Sequence, residues 1–266
     1  MTETRPNARP TALITGSTSG IGAEFARRYA ALHHNLVLVA RDKTRLDAQA
    51  TKLAATFGID VEVLPADLGA DDGCALVEAR VADDGWPIAV LINNAGFGLG
   101  VDFVHSTIED EEHLMRVLMR APMRITKAAL PGMVARNSGV VITVSSVAAY
   151  NNYSTYGAAK RWALRFSEAV SRQLAGTGVR AIALCPGLVH TEFHQRGKVE
   201  VGRTPKWLWL DVEQVVNECL RDLHRGKIVS IPSARYKVLI AIGRLLPPSL
   251  VTAIRNAARK PRKAAE

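Results

Sequence analysis

The sequence predicts an α/β protein built on a doubly wound parallel sheet. Three observations carry that expectation. Short apolar runs alternate with helix-period segments, the first run opens into a glycine cluster that leads straight into a helix, and no repeat or linker divides the chain before its basic tail. With 266 residues, 48% of them hydrophobic, a single domain can bury a substantial core.

Taken in order, Thr11–Thr15 reads as a buried strand. The cluster Thr15-Gly16-Ser17-Thr18-Ser19-Gly20-Ile21-Gly22 then turns into a helix carrying Phe25, Tyr29 and Leu32. Strand, glycine turn and helix together aim backbone N–H groups and a helix N-terminus at a phosphate. The spacing Gly-x-x-x-Gly-x-Gly differs from the commoner dinucleotide fingerprint. No Lys-Ser or Lys-Thr follows, which argues against a nucleotide-hydrolysing loop.

A second strand over 36–40 closes at Arg41. An acid at this place pairs with a ribose 2′-hydroxyl, an arginine with a 2′-phosphate. Arg41, with Lys43 and Arg45 nearby, points to NADP(H) over NAD(H). Asp42 competes, either pairing with Arg41 or approaching the ribose.

A helix over 44–57 precedes a third strand over 61–64, and Asp67-Leu68 lies past its C-terminal end, where ligands gather in open sheets. Asp67 suits an adenine amino group or, alternatively, a helix N-cap. After a helix over 72–82, a strand over 90–92 opens into Asn93-Asn94-Ala95-Gly96, small residues that let backbone approach a flat ring. Two helical segments, 109–120 and 123–135, lead to a strand over 140–144 that ends at Ser145-Ser146. A helix over 155–175 and a strand over 181–184 follow, the latter running into Cys185-Pro186-Gly187-Leu188-Val189-His190-Thr191.

That last helix carries Tyr156-Gly157-Ala158-Ala159-Lys160. The four-residue spacing puts the phenol and the ammonium on one face, where the lysine should lower the tyrosine pKa and make it a proton shuttle.

These pieces together resemble the short-chain dehydrogenase/reductase family. Thr15 to Gly22, Asp67, Asn93 to Gly96, Ser146, Tyr156 with Lys160, and Pro186 to Thr191 occur in the family's order across roughly residues 11–192. The resemblance implies a single Rossmann-type domain with a seven-stranded parallel sheet, using NAD(P)(H) to interconvert carbonyls and alcohols. It implies that Tyr156 donates the proton in reduction, that Lys160 holds the nicotinamide ribose, and that Ser146 (with Ser145 as fallback) bonds the substrate carbonyl. Gly16, Ser17, Ser19, Gly20, Ile21 and Gly22 would line the phosphates and ribose. Asp67, Leu68, Asn93, Ala95 and Gly96 would border the cofactor further along. Val189 and Thr191 would orient the nicotinamide amide.

Two departures stand out. Leu118 occupies the place of an asparagine that, in many members, supports a water relay to the lysine, and a leucine cannot hold such a water. Ser146 lies ten residues before Tyr156, closer than is usual, so the loop over 148–154 is short. A short loop of this kind resembles an actinobacterial-type branch of reductases, some associated with long-chain oxo-acyl substrates.

Beyond Thr191 the chain changes character. Phe193, Val199, Val201 and Lys206-Trp207-Leu208-Trp209-Leu210 suggest an apolar lid over 192–212, with Phe193, Trp207 and Trp209 as candidate substrate contacts. The alternative packs either tryptophan beneath a helix over 212–225. After a last strand over 228–231, residues 233–266 form an extension whose apolar residues, Val238, Leu239, Ile242, Leu245, Leu246, Leu250, Val251 and Ile254, sit beside Arg244 and Arg255. It would cap the cleft, join a subunit interface or rest on a membrane. The catalytic domain is accordingly expected over 11–232, after a polar N-terminus of ten residues.

Net charge is +9, and the tail from Arg255 sets five basic residues against Glu266. Without interleaved aromatics this argues against nucleic-acid binding. His190-x-x-x-His194 with Glu192 has metal-like spacing but borders the expected nicotinamide site, so no metal is expected. Cys74, Cys185 and Cys219 offer no disulfide framework, residues 1–10 no signal peptide, and Arg244 and Pro247-Pro248 break the most apolar late segment. The expectation is a cytoplasmic homodimer or homotetramer, with the C-terminus as a candidate peripheral membrane contact. The leading activity is NADPH-dependent reduction of a hydrophobic ketone or 3-oxoacyl-type compound. Oxidation of a lipid-like or steroid alcohol, or a silent NADP(H)-binding module at a membrane, are the alternatives.

Overall fold

The computed structural model describes residues 9–151, 153–193 and 205–245. Seven parallel strands form one sheet in the order β3 (Val61–Pro65), β2 (Asn35–Ala40), β1 (Thr11–Thr15), β4 (Ile88–Asn93), β5 (Gly139–Val144), β6 (Val179–Leu184) and β9 (Val229–Ser230). A separate short ribbon pairs β7 (Leu188–Val189) with β8 (Trp209–Leu210). Helices cover both faces. Alternate residues of β2 show why its run is apolar throughout: Leu36 and Leu38 enter one core cluster, Val37 and Val39 the other.

The strand order reverses between β1 and β4, which opens a crevice at their C-terminal ends. Thr15 stitches that crevice together. Its Oγ1 accepts the N–H groups of Asn94 and Ala95, while Asn94 Nδ2 donates to the carbonyls of Thr15 and Gly16.

Helix ends settle one open question. Asp42 caps α2 (Lys43–Phe57): its Oδ1 accepts the Arg45 N–H at 3.0 Å. The carboxylate is therefore engaged by its own helix. Gly58, at φ 61°, closes the other end.

The two expected segments before β5 are one continuous helical run. α4 (Ile108–Met115) passes through a π turn, Arg116–Arg120, directly into α5 (Ala121–Ala135). The cause is Pro122, which has no N–H for the Leu118 carbonyl four residues back. Here the Ala121 N–H instead reaches the Arg116 carbonyl, five residues back.

Among the described side chains of the helix Ala234–Leu245, Tyr236 is the large buried one. The Tyr236 hydroxyl accepts the Leu188 N–H at 2.9 Å and donates to the Leu208 carbonyl at 2.7 Å, tying this helix to both β7 and the turn before β8. A Cβ on Gly187 would fall 2.0 Å from the ring, so a glycine is required there. Tyr236→Phe leaves an N–H and a carbonyl without this partner, and should cost about 1–3 kcal/mol in urea unfolding.

Candidate functional site

The crevice widens into one large open cleft above the C-terminal ends of β1, β4, β5 and β6. α1 (Gly20–Ala31) begins at its edge. The N-cap residue Ser19 makes no side-chain cap bond, so no hydroxyl occupies the first N–H groups of the helix. Gly16 (φ 64°) would place a Cβ 2.8 Å from the Ala95 backbone, and Gly20 (φ 54°) one 2.8 Å from Thr191. This is a backbone-walled cradle at a helix N-terminus, the geometry that takes a pyrophosphate.

Gly16, Ser19, Gly20 and Ile21 line the cleft as expected, and so do Asp67, Leu68, Ala95, Gly96, Val189 and Thr191. Three expected residues do not. Ser17 is fully buried beneath the loop, its carbonyl accepting Gln49 Nε2, because the turn points alternate side chains inward; Thr18 faces the cleft instead. Gly22 is buried, where a Cβ would lie 2.2 Å from the Gly16 carbonyl, so it sets loop–helix packing. Asn93 ends β4 facing inward, its Nδ2 donating to Thr126 Oγ1. Asp67 is not a helix cap: its Oδ1 accepts the Gly69 N–H in a tight turn, and Ala70 caps α3 (Asp71–Val81).

At the rim, Arg41 is exposed at the end of β2. Arg45, read with Arg41 and Lys43 as support for NADP(H), lines the cleft and is engaged by protein groups. Its guanidinium meets both carboxylate oxygens of Glu192, at 3.1 and 3.0 Å, and the Thr18 carbonyl at 3.1 Å.

Tyr156 and Lys160 lie on α6 (Thr155–Gln173), whose N-cap Ser154 accepts the Gly157 N–H. The Lys160 ammonium sits 5.7 Å from the Tyr156 ring centroid and donates to the Val144 carbonyl at 2.8 Å. Ser146 caps the short turn Val147–Tyr150, accepting the Ala148 N–H, and its hydroxyl lies on the Tyr156 side of the cleft, close enough to favour the phenolate. Ser145 also borders the cleft, with its hydroxyl engaged. It is buried, and its hydroxyl donates to the Lys160 carbonyl at 2.6 Å.

The electrostatics correct the expected direction of the tyrosine shift. Desolvation raises the Tyr156 pKa, and only the Ser146 hydroxyl works against it. Lys160 stands over the ring, and burial weakens its own charged form, pushing its pKa down to about 8. Tyr156 therefore holds its proton at neutral pH.

Phe193 reaches the cleft, its ring centroid 5.6 Å from that of Tyr156. The structure does not bring the two tryptophans to the cleft wall. Trp209 stacks on His190, with centroids 4.8 Å apart, and Trp207 is exposed, its carbonyl bonded by Arg235. Phe97, Leu99, Val101, Phe103 and Val104 form the apolar wall instead. They lie in the segment after β4, where no periodicity marks them. Asn152, His194, Val199, Val201, the apolar residues beyond Leu245 and the basic tail lie outside the described residues.

Comparison with known proteins decides the family. The model of the short chain dehydrogenase family matches residues 10–200. This chain belongs to that family. A short-chain dehydrogenase from Sphingobium yanoikuyae, solved in complex with NADPH, is 35% identical, with a TM-score of 0.81 over 97% of this chain and 98% of that one. The bulky-bulky ketone specific alcohol dehydrogenase from Comamonas testosteroni is 30% identical, with a TM-score of 0.77 over 98% of both chains. The ketoacyl reductase HetN of Nostoc sp. is 28% identical over 254 residues, 90% of this chain and 86% of that relative. Within the family fold, the glycine cradle, the uncapped helix N-terminus and the rim cation Arg41 fit a dinucleotide carrying a 2′-phosphate.

The buried ammonium has a stability consequence. Its folded-state pKa lies below its ordinary value of 10.5, so the unfolded chain binds more protons between about pH 8 and 10.5. The penalty is complete below pH 8 and is relieved as pH rises through that window. Lys160→Met should therefore stabilise the protein by up to roughly 3 kcal/mol at pH 7, a gain that disappears toward pH 10.5 in chemical denaturation.

Proposed function

We propose that this chain is an NADP(H)-dependent oxidoreductase that reduces the carbonyl of a hydrophobic ketone or 3-oxoacyl-type substrate to a secondary alcohol. The observation that carries the reading is the Ser146–Tyr156 hydroxyl pair beside the glycine cradle, with Lys160 behind it. When bound, the cofactor supplies hydride to the carbonyl carbon. The substrate oxygen sits between the two hydroxyls. Ser146 donates a hydrogen bond that stabilises the charge developing there. Tyr156 gives its phenolic proton to that oxygen, completing the alcohol and leaving a phenolate that must be reprotonated for the next cycle. The same hydroxyl would take the proton back in alcohol oxidation, so the assay in both directions decides which one the chain performs.

Arg41 supports NADP(H), as does the capping role that occupies Asp42. The apolar wall of Phe97, Leu99, Phe103 and Phe193 supports a hydrophobic substrate. The ketone and ketoacyl specificities of two relatives agree with it. NADPH oxidation against bulky ketones and long-chain oxo-acyl thioesters tests the reading. Tyr156→Phe should lower kcat by about a hundredfold or more. The absence of turnover with every substrate would overturn it. Arg41→Ala should weaken NADPH binding by about tenfold to a hundredfold while leaving NADH binding almost unchanged in calorimetry.

The helix Ala234–Leu245 exposes Val238, Leu239, Ile242 and Leu245 beside Lys237. We propose peripheral contact with an anionic membrane through this face, read by vesicle co-sedimentation. No helix among the described residues is long and apolar enough to cross a membrane. Exposed Ile108, Met115 and Met123 on the α4–α5 run support a homodimer or homotetramer, which light scattering would reveal.

A further inference from the structure

A second, much smaller cavity lies beneath the cleft between β4, β5, α5 and α6. It measures about 10 Å³, the room one water needs, and Asn93, Leu118, Pro122, Thr143 and Lys160 are among its lining residues. Asn93 is 94% buried, and its Oδ1 is one of the few buried side-chain oxygens with no protein partner. Its Nδ2 is placed on Thr126 Oγ1 at 2.9 Å, a hydroxyl that can pair with either end of the amide, so the orientation is decided by what faces the cavity. The reverse orientation would set an NH₂ group toward the same cavity as the ammonium, donors against donors.

We infer that this cavity is a water site, and that Asn93 holds there the water that partners the Lys160 ammonium. Lys160 has three N–H donors. One goes to the Val144 carbonyl. The bridging water takes a second and passes a hydrogen to Asn93 Oδ1, leaving the third for the cleft. A sheet residue thereby replaces the helix asparagine that Leu118 displaces, and Asn93 is a positioning residue acting through Lys160. The inference rests on the proposed role of Lys160. Tyr156 and Cys185 are the other titratable groups facing that ammonium.

Three measurements test it on the full-length protein. A high-resolution crystal structure should show a water in the cavity within hydrogen-bond distance of Lys160 Nζ and Asn93 Oδ1; an empty cavity would overturn the inference. NMR titration of the Lys160 side chain, without cofactor, should give a lower pKa in Asn93→Leu and a higher one in Asn93→Asp. Thr126→Val, which removes only the Asn93–Thr126 bond, should leave it unchanged. A wild-type titration in both Asn93 variants, or an equal shift in Thr126→Val, would overturn the assignment. In turnover, Asn93→Leu should lower kcat about tenfold with KM for the cofactor nearly constant. Adding Leu118→Asn should restore part of that loss. The crystallographic and NMR results stand whether or not a carbonyl substrate is found, so the two proposals fail separately.

Discussion

The structure turns on a cation taken out of water. Lys160 is 95% buried at the centre of the domain, with the Val144 carbonyl as the protein acceptor for its ammonium. A buried ammonium is tolerated only where fixed dipoles replace its hydration. The surrounding elements are arranged to supply them. β5 ends so that a strand carbonyl faces Nζ, and Ser145 bonds the lysine backbone carbonyl to hold α6 in register with that strand. Tyr156, one turn earlier, is carried into the cleft by the same anchoring.

The cofactor side is governed by a different constraint, the distance of closest approach between backbones. Gly16 and Gly22 leave no room for a Cβ, and Thr15 with Asn94 closes the crevice through four hydrogen bonds. Specificity at this end rests on side chains at the rim. Arg41 is exposed at the rim, and the neighbouring Asp42 caps the N-terminus of α2. Arg45 instead joins Glu192, a half-exposed pair worth little in stability. Its interest is positional, since it links the glycine loop to the segment that follows β7.

Much of this was legible in the sequence, and the boundary of legibility is physical. Strands buried on both faces are uniform apolar runs, so β1, β2 and β5 were visible directly. Glycines forced by backbone contact marked the cradle. What periodicity does not carry is the direction of a side chain inside a turn, which is why Ser17 was expected in the cleft and Thr18 was overlooked. Trp207 and Trp209 were expected to face substrate because aromatic residues in a lid region usually do, yet a local stack with His190 satisfies Trp209 first. The tyrosine pKa went the other way because spacing reveals proximity and says nothing about desolvation. The segments 109–120 and 123–135 were read as two helices, whereas one extra residue in the turn absorbs the N–H that Pro122 lacks.

Leu118 gains meaning from its two sides. Toward the cleft it packs with Leu114, Val117, Phe97 and Leu99 against Tyr156, making an apolar bed for the phenol. Toward the sheet it closes the small cavity opposite Asn93. An asparagine at this position would bring polarity to both sides. The leucine separates them, giving the tyrosine ring an apolar bed on one side and leaving the polar work to the end of β4. Burial raises the pKa of Tyr156 on one side of Leu118, and an open acceptor on Asn93 faces its other side. Burial strengthens the phenol as a holder of protons, while a bound water on Asn93 would keep the lysine charged despite its burial.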